Sequence, residues 1–247
     1  MVFNQFFYFL VIFGTNLLFC LNALGNDSTD VFSKFLYFKN KYAVNCADEK
    51  ITDNFGNGYD SLYGTRNMKV ILHGVAYRGG ANNYYNKFMK RDNHNPLPNE
   101  GLINLANQGF SKAIYLYSKN FSSSKKIFVN DSGTDTLHYL QNSGMNRNDL
   151  KSIMLMVFDV IKNKDEGPIY LHCWNGWHQS GYISAAILMQ FCGLTNDQAL
   201  RYWNQNTDGV NKGYENVKRL VSAFVPFEDI KIDDKTMKII CPCLESK

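Results

Sequence analysis

Ten consecutive residues, His172-Cys173-Trp174-Asn175-Gly176-Trp177-His178-Gln179-Ser180-Gly181, concentrate the reactive groups of this chain. They lie between two apolar runs, Pro168-Ile169-Tyr170-Leu171 and residues 182–191. A strand leading through a thiol and a short loop into a helix puts Cys173 on the floor of the loop. Backbone N–H groups there can converge on an anion, and the helix N-terminus adds the positive end of its dipole. The same field favours thiolate over thiol, and thiolate is the nucleophile. Gly176 in mid-loop and Gly181 at the helix start permit tight geometry and close approach. Ser180 offers a hydroxyl to whatever leaves the sulfur, which makes Cys173, Ser180 and His178 the candidate catalytic set. Trp174, Asn175, Gly176, Trp177, Gln179 and Gly181 are candidate ligand-binding positions, with the two tryptophans at the rim. His172 reads as structural support that orients the loop. His178 faces either the cradle, where protonation would add charge, or solvent. The bland alternative for Cys173 is a buried thiol at a strand end.

The elements that must position these residues follow from pattern. Residues 68–72 and 113–117 read as short strands, and 168–171 as a buried one. Gly79-Gly80 and Asn82-Asn83 mark a turn. Leu102, Ile103, Leu105 and Ala106 suggest a short helix stopped by Gly109. Leu150, Ile153, Met154, Val157 and Ile161 follow the amphipathic helical period, with Asn146, Asn148 and Asp149 as possible caps. Residues 182–191 are apolar nearly all round and predict a central helix ended by Gly193. Thr195-x-x-Gln198 is a capping box opening another helix. Strands alternating with helices predict a single α/β domain with a central, mostly parallel sheet.

The loop resembles the signature loop of the protein tyrosine and dual-specificity phosphatase superfamily: His-Cys, five residues, Arg, Ser/Thr, Gly. His172, Cys173, Ser180 and Gly181 match it. Tyr77-Arg78-Gly79-Gly80, Gly101-Leu102 and the stretch from Gln108-Gly109-Phe110 through Tyr115-Leu116 are similar to the opening strand, helix and strand of bacterial members. The resemblance covers roughly residues 68 to 205. It implies a Cys that attacks phosphorus, loop amides and an Arg that hold the phosphate oxygens, and an Asp on a separate loop that protonates the leaving group. Two departures stand out. Gln179 occupies the Arg position, and it offers one neutral amide in place of a charged bidentate grip. The acid's expected place, 140–144, holds Gln141 and Asn142 and no carboxylate; Asp131, Asp135 and Asp149 are the substitutes nearby. Arg78 reads as a structural ion-pair partner rather than a substrate residue.

With 247 residues, 45% hydrophobic, and a net charge of +4, the chain can bury a sizeable core and has no basic run that points to nucleic acid. The first 25 residues carry no Lys, Arg, Asp or Glu. They read as a secretory signal peptide cut after Gly25, so the protein is expected to be secreted or periplasmic; the competing reading is an uncleaved membrane anchor. Residues 26–65 are expected to form an irregular extension, 66–225 the phosphatase-like domain, and 226–247 a C-terminal tail. In an oxidising compartment Cys46 and Cys241-Pro242-Cys243 could staple the termini, with pairing open, while Cys192 in its apolar stretch reads as a buried free thiol. No cofactor or metal is expected. The functional expectation is a degenerate or altered cysteine phosphatase acting on, or binding, a phosphorylated or otherwise anionic ligand. The alternatives are an inactive binding module, or a thiol enzyme of another class that pairs His178 with Cys173.

Overall fold

A computed structural model describes residues 27–82 and 96–245. The expected signal peptide lies outside the described residues, as does Asn83. The described residues form an α/β structure with seven helices and a six-stranded, mostly parallel sheet. The strands are β1 (Thr65–Leu72), β2 (Ala76–Ala81), β3 (Lys112–Tyr115), β4 (Ile127–Val129), β5 (Thr136–Gln141) and β6 (Ile169–Cys173), in the order β1-β2-β6-β3-β5-β4. The inner strands β2, β6, β3 and β5 run parallel, and antiparallel β1 and β4 close the two edges.

Alternation along the inner strands divides the core between two faces. Ile114, Ile169 and Leu171 pack with Ile153, Val157, Ile183 and Ile187. These last four come from α3 (Arg147–Lys162) and α4 (His178–Cys192). On the opposite face Ala113, Tyr115 and Tyr170 meet Phe38 of α1 (Asp27–Tyr42) and Leu102 and Leu105 of α2 (Asn99–Asn107). Three further helices, α5 (Asn196–Gln205), α6 (Glu215–Ser222) and α7 (Asp234–Ile240), complete the first face. Asn146 caps α3 through the Asp149 N–H, Gly193 ends α4 in the left-handed region, and Thr195 with Gln198 forms the capping box of α5. Among the described residues no helix is long and apolar enough to cross a membrane.

Three expectations need correction. The irregular stretch expected over 26–65 contains a 16-residue helix, α1. Phe35, Phe38 and Tyr42 lie three and four apart and are buried, so they form one face of that helix. Gly79 and Gly80 lie inside β2 and form no turn. A side chain at Gly79 would strike the Tyr170 hydroxyl of β6, and one at Gly80 the Trp174 carbonyl oxygen, so the bare backbone at Gly80 lets the loop after Cys173 lie on the strand. Finally, Cys192 is paired. Disulfides join Cys46 to Cys243 and Cys192 to Cys241, because α7 returns along the end of α4; Cys173 is the free cysteine among the described residues.

These bridges close segments of 197 and 49 residues in sequence separation. Loop-closure entropy sets the expected loss on removing the shorter one, in a Cys192→Ala/Cys241→Ala variant, at about 4 kcal/mol. Urea unfolding checks this, and an unchanged midpoint would contradict it.

Candidate functional site

Cys173 is the last residue of β6, and α4 begins five residues later. Every carbonyl across the intervening loop is held by a donor. Ala81 N–H donates to Trp174 O at 2.9 Å, and Asn67 Nδ2 to Asn175 O at 3.2 Å. Arg78 Nη2 donates to Gly176 O and, at 3.4 Å, to Trp177 O, which also accepts from Gly181 N–H at 3.1 Å. Trp203 Nε1 donates to His178 O at 3.0 Å. In a trans peptide the N–H points opposite to its carbonyl, so fastening the carbonyls on one side presents the amides on the other. Among the described residues nothing accepts from the N–H groups of Trp177, His178, Gln179 or Ser180. The last three open the first turn of α4, where helix geometry leaves amides without a partner. The indole N–H groups of Trp174 and Trp177 are likewise buried without an acceptor.

Gly176, at φ +77°, makes the turn, and a side chain there would strike the Gly79 backbone. The Asn175 side chain is used inside the protein, its Oδ1 accepting from Arg66 Nη1 at 2.8 Å. Gly181 passes close to Trp203, where an added Cβ would lie 3.1 Å from the indole. Cys173 Sγ lies 3.4 Å from Ser180 Oγ, so the sulfur meets a hydroxyl across the loop. Both residues are buried, with Cys173 4% exposed.

His172 is fully buried, stacked between tyrosines: its ring centroid is 5.0 Å from Tyr115 and 5.8 Å from both Tyr139 and Tyr170. Leu97 N–H donates to the Tyr139 hydroxyl, which is then free to donate to His172 Nε2 at 2.9 Å. Donor counting assigns the ring proton to Nδ1, 3.3 Å from Cys173 O. Burial pulls the imidazole down to about 3, so it is neutral at physiological pH.

The structure brings His178 to different partners from those the catalytic reading requires. Its Nε2 lies 2.6 Å from Val210 O, and its ring stacks on Tyr214 with centroids 3.5 Å apart. Burial lowers its pKa, and Arg78 lowers it further, which opposes a charged His178. Sulfur and imidazole are not hydrogen-bonded; the one such partner of Sγ among the described residues is Ser180.

Gln179 also turns from the cradle. Its Nε2 donates to Leu116 O at 2.7 Å and to Ser143 O at 2.8 Å, which uses both amide protons. It thereby pins the start of α4 to the end of β3 and to the loop where the resemblance expects the acid. Of the three substitute carboxylates, Asp149 is nearest that loop, its Oδ2 accepting from Ser143 Oγ at 3.2 Å. Asp131 and Asp135 sit in the turn before β5, at the opposite end of the sheet from the Cys173 loop, because β5 runs parallel to β6. Position in sequence suggested them, and strand direction removes them. Sequence reasoning missed Tyr117 and Tyr214. The Tyr117 phenol is pushed up chiefly by burial, with smaller electrostatic contributions from Cys173 and Tyr214. A tyrosine just past a strand end carries no sequence signal for this.

No known protein-family model matches the chain, and no curated protein matches its sequence.

Two outcomes are expected. His172 excludes a proton in the fold that the unfolded chain accepts below about 6.5, so stability falls as pH drops from there towards 3. His172→Gln should flatten that fall by up to about 1.4 kcal/mol per pH unit, read from denaturant melts at several pH values. Gln179→Ala should destabilise the protein by roughly 1–3 kcal/mol, since two carbonyls lose their donor. A thermal melt matching wild type would contradict that role for Gln179.

Proposed function

We propose that this chain is a secreted, cysteine-phosphatase-like protein that captures a phosphorylated or otherwise anionic ligand over Cys173, with little turnover of ordinary phosphomonoesters. One observation carries the reading: the loop's carbonyls are all held by buried donors while the amides of residues 177–180 have no acceptor among the described residues. Such a nest at a helix N-terminus favours tetrahedral oxyanions. The two disulfides fit an oxidising compartment.

Weak turnover follows from Gln179. Both of its amide protons are committed to backbone carbonyls, so it offers no donor to a ligand. Each charge-assisted bond forgone is worth about 1.5–3 kcal/mol, and losing a pair costs roughly three orders of magnitude in rate. A slow phosphatase is the second reading, favoured by the Ser180 hydroxyl 3.4 Å from Sγ, where it can assist departure from sulfur. Pairing of His178 with Cys173 finds no support, since Val210 and Tyr214 hold that ring.

Orthovanadate and inorganic phosphate are expected to protect Cys173 from alkylation by iodoacetamide, counted against a Cys173→Ser blank. An aryl phosphate should be hydrolysed at a rate near background. Alkylation unaffected by millimolar vanadate would sink the anion reading. Hydrolysis clearly above background and lost in Cys173→Ser would make the second reading the correct one.

A further inference from the structure

We propose that Arg78 supplies the positive charge of the Cys173 loop and acts on a bound anion through the loop's own peptide groups, as a positioning residue that replaces the cation absent from position 179. This rests on the anion-capturing reading above.

Arg78 comes from β2 and is completely buried. Its Nη2 donates to Gly176 O, to Trp177 O at 3.4 Å and to Asn206 O at 3.2 Å, and its Nη1 to the Tyr202 hydroxyl at 3.1 Å. The guanidinium carbon lies 5.8 Å from the centre of the Tyr202 ring. Every acceptor is neutral. Lys69, opposite Arg78 in the β1–β2 register, is also buried, and its Nζ donates to Asn206 Oδ1 at 2.6 Å. Neither cation forms an ion pair among the described residues. Asp208, the carboxylate whose charge acts most on Lys69, is already engaged, accepting from Lys50 at 2.8 Å and from Asn54.

Burying a cation on neutral acceptors costs several kcal/mol unless an opposite charge compensates. Lys69 shares that cost: burial and then Arg78 pull it down to about 7, against the opposing charges of Asp208 and Asp48. The compensating charge has a defined place. Gly176 O and Trp177 O belong to the peptides whose N–H groups are those of Trp177 and His178, two of the four amides without an acceptor. Drawing electron density onto the carbonyl oxygens makes these N–H groups stronger donors, and hydrogen-bond chains in a low dielectric reinforce one another. In the arrangement that the signature loop resembles, an Arg would touch the anion; here the charge stands one peptide plane behind it. That geometry favours binding over catalysis, because the peptides transmit charge equally to ground state and transition state.

The test compares alkylation of Cys173 by anionic iodoacetate and by neutral iodoacetamide, subtracting label found in Cys173→Ser. The same thiolate attacks both reagents, so the ratio of rates reports local potential and cancels thiol ionisation and access. Arg78→Gln is expected to lower that ratio roughly tenfold, and Arg78→Lys less. A purely structural Arg78 would change both rates together and leave the ratio unmoved, which would overturn the proposal. If Arg78→Gln fails to fold, the wild-type protein decides: its ratio must fall as salt rises, and a salt-independent ratio overturns the proposal. A thiol that neither reagent reaches in the native protein overturns it as well. Vanadate protection is scored separately. Its absence with a lowered ratio in Arg78→Gln removes the anion reading and leaves the charge assignment standing.

Discussion

The site depends on the orientation of a few peptide planes. A loop of backbone between a strand and a helix has no intrinsic reason to face all its carbonyls one way, since water competes for every one of them. Here the protein holds each one: a strand amide takes Trp174 O, Asn67 takes Asn175 O, Arg78 takes Gly176 O and Trp177 O, and Trp203 takes His178 O. These donors come from β1, β2 and α5, so the loop's shape is a tertiary property. With the carbonyls fixed, trans geometry fixes the amides, and the helix start contributes three of them.

Much of the surrounding structure serves that constraint. Gly79 and Gly80 lack side chains where the loop crosses β2, and Gly176 adopts a left-handed turn against the same strand. His172, neutral among three tyrosines, closes the base of the loop through Tyr139 on one side and the Cys173 carbonyl on the other. Gln179 binds the helix start to β3 and to the 142–145 loop. A long cation gripping a ligand at that position would leave these carbonyls without a donor, so Gln179 serves internal cohesion and makes no ligand contact. The disulfides hold α7 and the residues after it against α4 and the segment after α1.

Local signals were legible where chemistry is local. The period of 150–161, the cap at Asn146, the capping box at Thr195 and the stop at Gly193 each reappear in the structure, because a helix is stabilised by neighbours three and four residues apart. The α/β class followed from alternation of such segments. The helix at Asp27–Tyr42 was misread because its polar residues outnumber its buried ones, and its stability comes from burying Phe35 in one core cluster and Phe38 in the other. Cys192 was misread for a related reason: an apolar helix end looks like a buried thiol until α7 arrives beside it.

From the sequence alone came a thiol after a buried strand, a glycine-bearing loop, a hydroxyl seven residues on, and a glutamine in place of a cation; these are matters of residue type and spacing along one segment. Tertiary structure decided where the polar groups point. It sent His178 to Val210 and Gln179 to Leu116 and Ser143, separated Asp131 and Asp135 from the loop, and set Arg78 behind the Gly176 and Trp177 carbonyls. Each of those contacts joins residues more than 30 positions apart, and hydrogen bonds over such separations are chosen by strand order and helix packing rather than by neighbouring residues.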